Sequence, residues 1–219
     1  MTTILYRDDD LIAVVKPAGV SSQDTGSGDC LPAMLEADGF PVKPVHRLDQ
    51  ATGGVMVYAR SDRAAAALSA LVGQHEHFRK EYLAVVAGTP AEPAGTLEDL
   101  LYHDVHKNKS YVVNRPRKGV RQASLSYEVA ATATKDGKPY SLLKIRLHTG
   151  RTHQIRVQFA SRGLPLVGDA RYGGERSSSL ALWSCRLTFP HPFTDETVTA
   201  AQLPDTAAYP WNLFDLTGV

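Results

Sequence analysis

The chain has 219 residues, 43% of them hydrophobic and 21% charged, a balance that excludes intrinsic disorder and suffices for one large globular domain or two small ones. Twenty-four Lys and Arg against 23 Asp and Glu give a formal charge of +1, which by itself makes no case for a polyanionic partner. Two cysteines exclude a disulfide-dependent scaffold, and the lack of any run of about 18 apolar residues, or of a basic-then-apolar leader in MTTILYRDDD, predicts no membrane span and a cytoplasmic protein.

In chain order, residues 4–6 and 11–15 read as short strands about the turn Asp8-Asp9-Asp10, and Lys16-Pro17-Ala18-Gly19 ends the second. Residues 21–29 are polar and small and read as a loop. A short helix is predicted over 31–38, with Asp29 as its cap and Gly39 as its stop. HRLDQATGG, residues 46–54, then sets His46, Arg47 and Asp49 between an extended apolar approach and the Gly53-Gly54 turn, before Val55-Met56-Val57-Tyr58 resumes a buried strand. Three ionisable groups inside an otherwise core-like stretch suggest a site; a structural Arg47–Asp49 ion pair is the plainer alternative.

Ser61 is suited to cap a helix running to about residue 75, given the alanines at 64–67 and the apolar Leu68, Leu71 and Val72. Residues 79–87 alternate as a strand containing Tyr82. Residues 96–121 read as an excursion: an apolar run, then Lys107, Lys109, Arg115, Arg117, Lys118 and Arg121 with no acid between His106 and Arg121. Tyr111 and two valines interleave that charge with a stacking surface, as an RNA-binding segment requires, although a solvated loop has the same composition. Residues 124–131 and 141–148 form strands about the turn Lys135-Asp136-Gly137-Lys138, a helix is predicted from Thr149-Gly150-Arg151-Thr152 to residue 161, and strands follow at 180–189 and 197–200. Strands outnumber helices and pair in hairpins, so the pattern predicts an α+β fold on a mixed sheet in a single domain covering 1–219.

Four blocks in this order, LIAVVKPAGV (11–20), HRLD, RKEYLAVVAG (79–88) and LHTGRTHQIRVQFASRGLPLVGDARYGG (147–174), resemble the RluA-type pseudouridine synthases over nearly the whole chain. The resemblance implies a large, mostly antiparallel bent sheet with a cleft. It implies conversion of uridine in ribosomal or transfer RNA to pseudouridine, with no metal and no cofactor, by a monomer that meets no membrane. The pattern begins almost at Met1, so the S4 RNA-binding module of many relatives is expected to be absent and RNA to be held by the catalytic domain.

Carried over by motif, Asp49 is the catalytic carboxylate, acting by attack at the sugar carbon or by removal of a sugar proton. Arg156 is the cation that keeps it ionised, and Tyr82 stacks on the uracil and serves as a candidate C5 base. Arg47 fills the space of an extruded nucleotide, and His46 lies beside it in the same RNA-facing motif. Arg151 is placed to hold a phosphate near a helix start; His153 either does the same or caps and packs. Gly53, Gln158 and Trp183 depart from the residues usual at their positions and put the RNA target in question. A non-catalytic RNA-binding or RNA-folding protein is the alternative in another class; a hydrolase built on His46 and Asp49 has no nucleophile motif to support it.

Overall fold

The computed structural model describes residues 1–219 except 27, 28, 75, 195 and 219. In chain order the elements are β1 (Ile4–Arg7), β2 (Leu11–Lys16), α1 (Leu31–Ala37), β3 (Lys43–Pro44), β4 (Gly53–Ala59), α2 (Asp62–Val72), β5 (Arg79–Ala87), β6 (Ala94–Asp104), β7 (Lys109–Val113), β8 (Val120–Lys135), β9 (Lys138–Leu147), α3 (Gln154–Ala160), β10 (Leu182–Pro190) and β11 (Thr197–Ala201), with a 3-10 turn at Trp211–Leu213. The α+β class expected from the strand-rich pattern is the class observed. The described residues divide into two compact units, one of Met1–Glu81 with Trp183–Pro204, the other of Tyr82–Leu182 with Asp205–Val219. Among the described residues no helix is long and apolar enough to cross a membrane.

In the first unit the strand order is β1-β2-β4-β10, with β11 on β10 and β3 on β4. Strand β2 has its residues from Leu11 to Val14 fully buried, and β4 is buried along its whole length, so neither shows the alternation of a strand with a wet face. Their antiparallel register runs from Leu11↔Ala59 to Lys16↔Gly54, while β4 meets β10 in parallel at Gly53 and Ser184's partner Gly54. The Asp8 carboxylate forms the β1–β2 turn by accepting from the N–H groups of Asp10 and Leu11, both at 2.8 Å. Helix α2 begins where predicted, Ser61 accepting from Ala64 N–H at 3.1 Å, and lays Ala64 and Leu68 on a core of Leu11, Val55, Val57, Phe78, Leu187 and Phe189. It ends at Val72; residue 75, its predicted end, lies outside the described residues. Helix α1 is capped by Cys30 rather than Asp29, with no side-chain cap bond and Pro32 in its first turn, where proline's missing N–H costs nothing.

In the second unit the order is β5-β9-β8-β6-β7. The β8–β9 hairpin turns at Asp136 and Gly137, both at positive φ (52° and 73°), the signature of a tight two-residue turn. Residues 96–121 are less an excursion than a continuation of the sheet. Strand β6 pairs with β8 from Ala94↔Glu128 to Tyr102↔Val120, and β7 folds back on β6 from Asp104↔Lys109. The alternation is hidden in the sequence because few apolar side chains, Leu97, Leu101 and Ala123 among them, are buried among polar neighbours, and the buried residue of β7 is Ser110. Helix α3 starts at Gln154, after and not within the Thr149-Gly150-Arg151-Thr152 stretch, because His153 sits in the left-handed region (φ 55°, ψ 24°) and breaks the turn before it.

Candidate active site

The HRLD loop carries no regular structure of its own, so its shape comes from hydrogen bonds to neighbouring elements. Ser22 Oγ donates to Leu48 O (3.0 Å), Gly19 N–H to Gln50 O (2.8 Å), Gln50 Nε2 to Gly19 O (2.9 Å), and Thr52 N–H closes the turn on Asp49 O (2.9 Å). Leu48 is buried beneath the loop, whereas Arg47 is exposed and Asp49 half-buried. The alternation Arg-Leu-Asp on a pinned loop therefore anchors through the leucine. His46 anchors the loop's other end: its Nε2 accepts the Val57 backbone N–H at 3.1 Å, and its ring lies edge-on to Phe78 at 5.7 Å. Burial, and secondarily the Lys80 ammonium, hold its pKa well below 6.5. The neutral ring suits an acceptor whose proton sits on Nδ1, so the residue expected among the RNA contacts has its Nε2 committed to the sheet.

Lys16, not singled out by sequence reasoning beyond its block, is fully buried beside this loop. Its ammonium donates to Pro17 O (2.8 Å), Val20 O (2.7 Å) and Gln50 O (3.1 Å), joining the KPAGV loop to the HRLD loop by one cation. Burial lowers its pKa to about 8, and the nearby Asp49 carboxylate opposes that shift. Lys80, buried against the Phe78 ring at 5.3 Å, is likewise lowered to about 8 by burial. Because the unfolded chain binds these protons more tightly, stability should rise as pH goes from about 8 to 10. Lys16→Met would leave three carbonyls without this donor, at roughly 1–3 kcal/mol for each left unsatisfied, partly offset by the lost desolvation cost. The expected net loss is about 2–4 kcal/mol in urea unfolding at pH 7, together with a shallower rise of stability between pH 8 and 10. An unchanged pH slope would show that Lys16 does not titrate there.

Two of the predicted catalytic residues lie in the second unit. Tyr82 is 5% exposed in β5. Arg156, on α3, makes a two-pronged ion pair with Asp169, Nε to Oδ2 at 2.7 Å and Nη2 to Oδ1 at 2.8 Å, both side chains being buried. Asp169 was missed by sequence reasoning although it stands within the GDARYGG segment, because a carboxylate thirteen residues away carries no spacing signal. The pair orients the guanidinium plane. The Tyr172 ring lies 5.2 Å from the guanidinium carbon, and its hydroxyl accepts from Ser110 N–H (2.8 Å) and bonds His153 Nδ1 (3.0 Å). Burial is the main cause raising that hydroxyl's pKa.

The predicted RNA-binding residues are partly assembled. Lys107, Arg115, Arg117 and Lys118 are exposed on and beyond the β6–β7 hairpin, with Arg117 over the Tyr102 ring at 4.7 Å and Lys109 near Tyr111 and Tyr172 at 5.8 and 5.2 Å. Arg151 is exposed but precedes the helix by three residues; its backbone N–H goes to Gln154 Oε1 and its Nε to Gln122 O. The helix-terminus rationale for phosphate binding there therefore does not apply. His153 is buried, stands at the N-cap position of α3 without a side-chain cap hydrogen bond, and bonds the Tyr172 hydroxyl through Nδ1.

The three departures have local explanations. A Cβ on Gly53 would lie 2.8 Å from Cε3 of Trp183 and closer still to its Cζ3, and one on Gly54, at φ +118°, would overlap the Ser184 backbone. Gly53 and Trp183 are thus one compensated change: the indole occupies the space that a side chain at 53 would fill. Gln158 donates to Leu97 O (3.2 Å) and Asp99 Oδ2 (2.7 Å), fastening α3 to β6.

A family model described as RNA pseudouridylate synthase matches residues 10–161. The chain is 31% identical over 208 residues to an uncharacterized RNA pseudouridine synthase of Bacillus subtilis, covering 90% of this chain and 67% of that protein. It is 31% identical over 226 residues to a tRNA pseudouridine synthase C of Vibrio parahaemolyticus, covering 93% and 91%. It spans 65% of the length of a Mycobacterium tuberculosis relative and 57% of an Aquifex aeolicus relative, so two thirds or less of several relatives. Human RNA Pseudouridylate Synthase Domain Containing 1 superposes with a TM-score of 0.80 at 24% identity, covering 94% of this chain and 84% of that one, a likeness of fold.

Proposed function

This chain belongs to the RNA pseudouridylate synthase family, and from that premise we propose that it isomerises particular uridines of structured ribosomal or transfer RNA to pseudouridine, as a cytoplasmic monomer without metal or cofactor. The observation that carries this reading is the Asp49 loop: a half-buried carboxylate on a backbone fixed from both sides and set beside a buried ammonium. A binding protein for a polyanion gains nothing from a carboxylate held so firmly in its site.

In this reading the target nucleotide leaves its stack, at a cost of a few kcal/mol, and the exposed Arg47 takes its place. Asp49 acts at the sugar, by attack on C1′ or by removal of a sugar proton, and the N1–C1′ bond breaks. The uracil turns against Tyr82, C5 bonds to C1′, the C5 proton departs and N1 takes up a proton, so no atom is gained or lost. Arg156, oriented by Asp169, is the cation this reading assigns to the reaction.

The experiment is incubation of the purified protein with RNA transcripts carrying tritium at C5 of uridine. The expected result is tritium release in step with pseudouridine formation, at sites that also lose pseudouridine in cells lacking the gene. Binding of the same transcripts with no release would favour the RNA-binding alternative.

A further inference from the structure

Resting on the function proposed above, we propose that Tyr172, with Arg171, is a positioning residue that couples RNA occupancy of the β6–β7 hairpin to the setting of Arg156. Four residues, Asp169 to Tyr172, make both ends of the connection. At one end Asp169 holds the Arg156 guanidinium by two hydrogen bonds, and its carbonyl oxygen accepts from the N–H groups of Tyr172 (3.1 Å) and Gly174 (2.8 Å), which ties the tyrosine's backbone to the carboxylate residue.

At the other end the same segment holds the hairpin. Arg171 Nη1 donates to Lys107 O (3.1 Å) and Asn108 O (3.0 Å) at the β6–β7 turn, where Asn108 is in the left-handed region (φ 44°). Tyr172 accepts from Ser110 N–H, an edge-strand donor, and Lys109 lies 5.2 Å from its ring. Ser110, 1% exposed, donates to Thr152 O at 2.6 Å and bonds His103 Nδ1 at 3.2 Å, while His153, in its strained backbone conformation, bonds the Tyr172 hydroxyl.

A left-handed backbone at a buried non-glycine residue persists only where its surroundings over-determine it, and such residues gather where a conformation matters to function. Here the Tyr172 hydroxyl is one of the groups that hold His153, beside the edge-on His103 ring. The cations Lys107 and Lys109 belong to the turn that Arg171 and Tyr172 hold, so a phosphate drawn to them loads the same backbone that sets Asp169 and, through it, Arg156. A hairpin that only bound RNA would have no need of this buried connection.

The test uses the full-length protein with an unmodified RNA stem-loop that has a uridine-rich loop, and reads the NMR signal of the Arg156 Nε–H as well as turnover. In the wild type the signal should shift on RNA addition. In Tyr172→Phe, which keeps the ring over Arg156, and in Arg171→Gln, it should shift much less. Turnover number should fall about tenfold, the scale of one lost hydrogen bond's worth of positioning, with RNA affinity little changed and the melting temperature lowered by no more than the few degrees that a stranded Ser110 N–H costs. Weakened affinity at unchanged turnover number would make Tyr172 an RNA contact and overturn the proposal, as would an Arg156 signal indifferent to RNA in the wild type. A wild type that binds RNA and moves the Arg156 signal without turning over would instead overturn the catalytic reading and leave the coupling standing.

Discussion

Asp49→Asn is expected to lower pseudouridine formation by on the order of 10³-fold or more, the scale seen when a group acting in the bond-breaking step is removed, with RNA affinity retained. The amide is nearly isosteric, and the ties at Leu48 O, Asp49 O and Gln50 O accept at backbone atoms that the substitution leaves in place. What is lost is charge and basicity at one position. The substitution has a second readout free of activity. The Asp49 carboxylate counteracts the effect of burial on Lys16, so the Lys16 ammonium should titrate below its wild-type value of about 8 in the variant, followed by NMR of the lysine side chain. Turnover near the wild-type rate would move the chemistry away from Asp49; an unmoved Lys16 titration would show that the two charges are not neighbours.

Arg156→Met should abolish turnover and also destabilise the protein by about 3–5 kcal/mol, because it strands the buried Asp169 carboxylate without its cation. From the sequence alone the methionine appears a gentle substitution that leaves folding intact; the two-pronged Asp169 pair makes it a severe one. The double change Arg156→Met with Asp169→Leu separates the two consequences. Replacing a buried ion pair by apolar groups is often close to neutral for stability, so the double variant should regain most of the unfolding free energy in urea while remaining inactive. Recovery of activity along with stability would reduce Arg156 to a structural residue, and failure to recover stability would mean that the pair's hydrogen-bonding to its surroundings matters more than its charge.

Much of this protein is legible in its sequence. The continuous apolar runs at 11–15 and 55–58 dictate buried strands because no polar residue interrupts them, Ser61 before a run of alanines dictates a helix start, and Asp136-Gly137 dictates a tight hairpin. These are local matters, settled by backbone conformational preference and by which side chains tolerate water. The order of the four blocks likewise sufficed to place the chain in its family, and with it the candidate carboxylate, tyrosine and arginine.

What only the tertiary structure decided depends on groups distant in sequence. The partnership of Arg156 with Asp169, the tie from Lys16 to the Gln50 carbonyl 34 residues on, and the mutual fit of Gly53 and Trp183 have no periodicity to reveal them, since each follows from segments that only the fold brings together. The same holds for boundaries. Helix α3 begins at Gln154 and not at Gly150 because Tyr172 and the Thr149 and Gln154 side chains hold the intervening turn, and tertiary hydrogen bonds of that number outweigh the few tenths of a kcal/mol by which helix propensities differ among most residues.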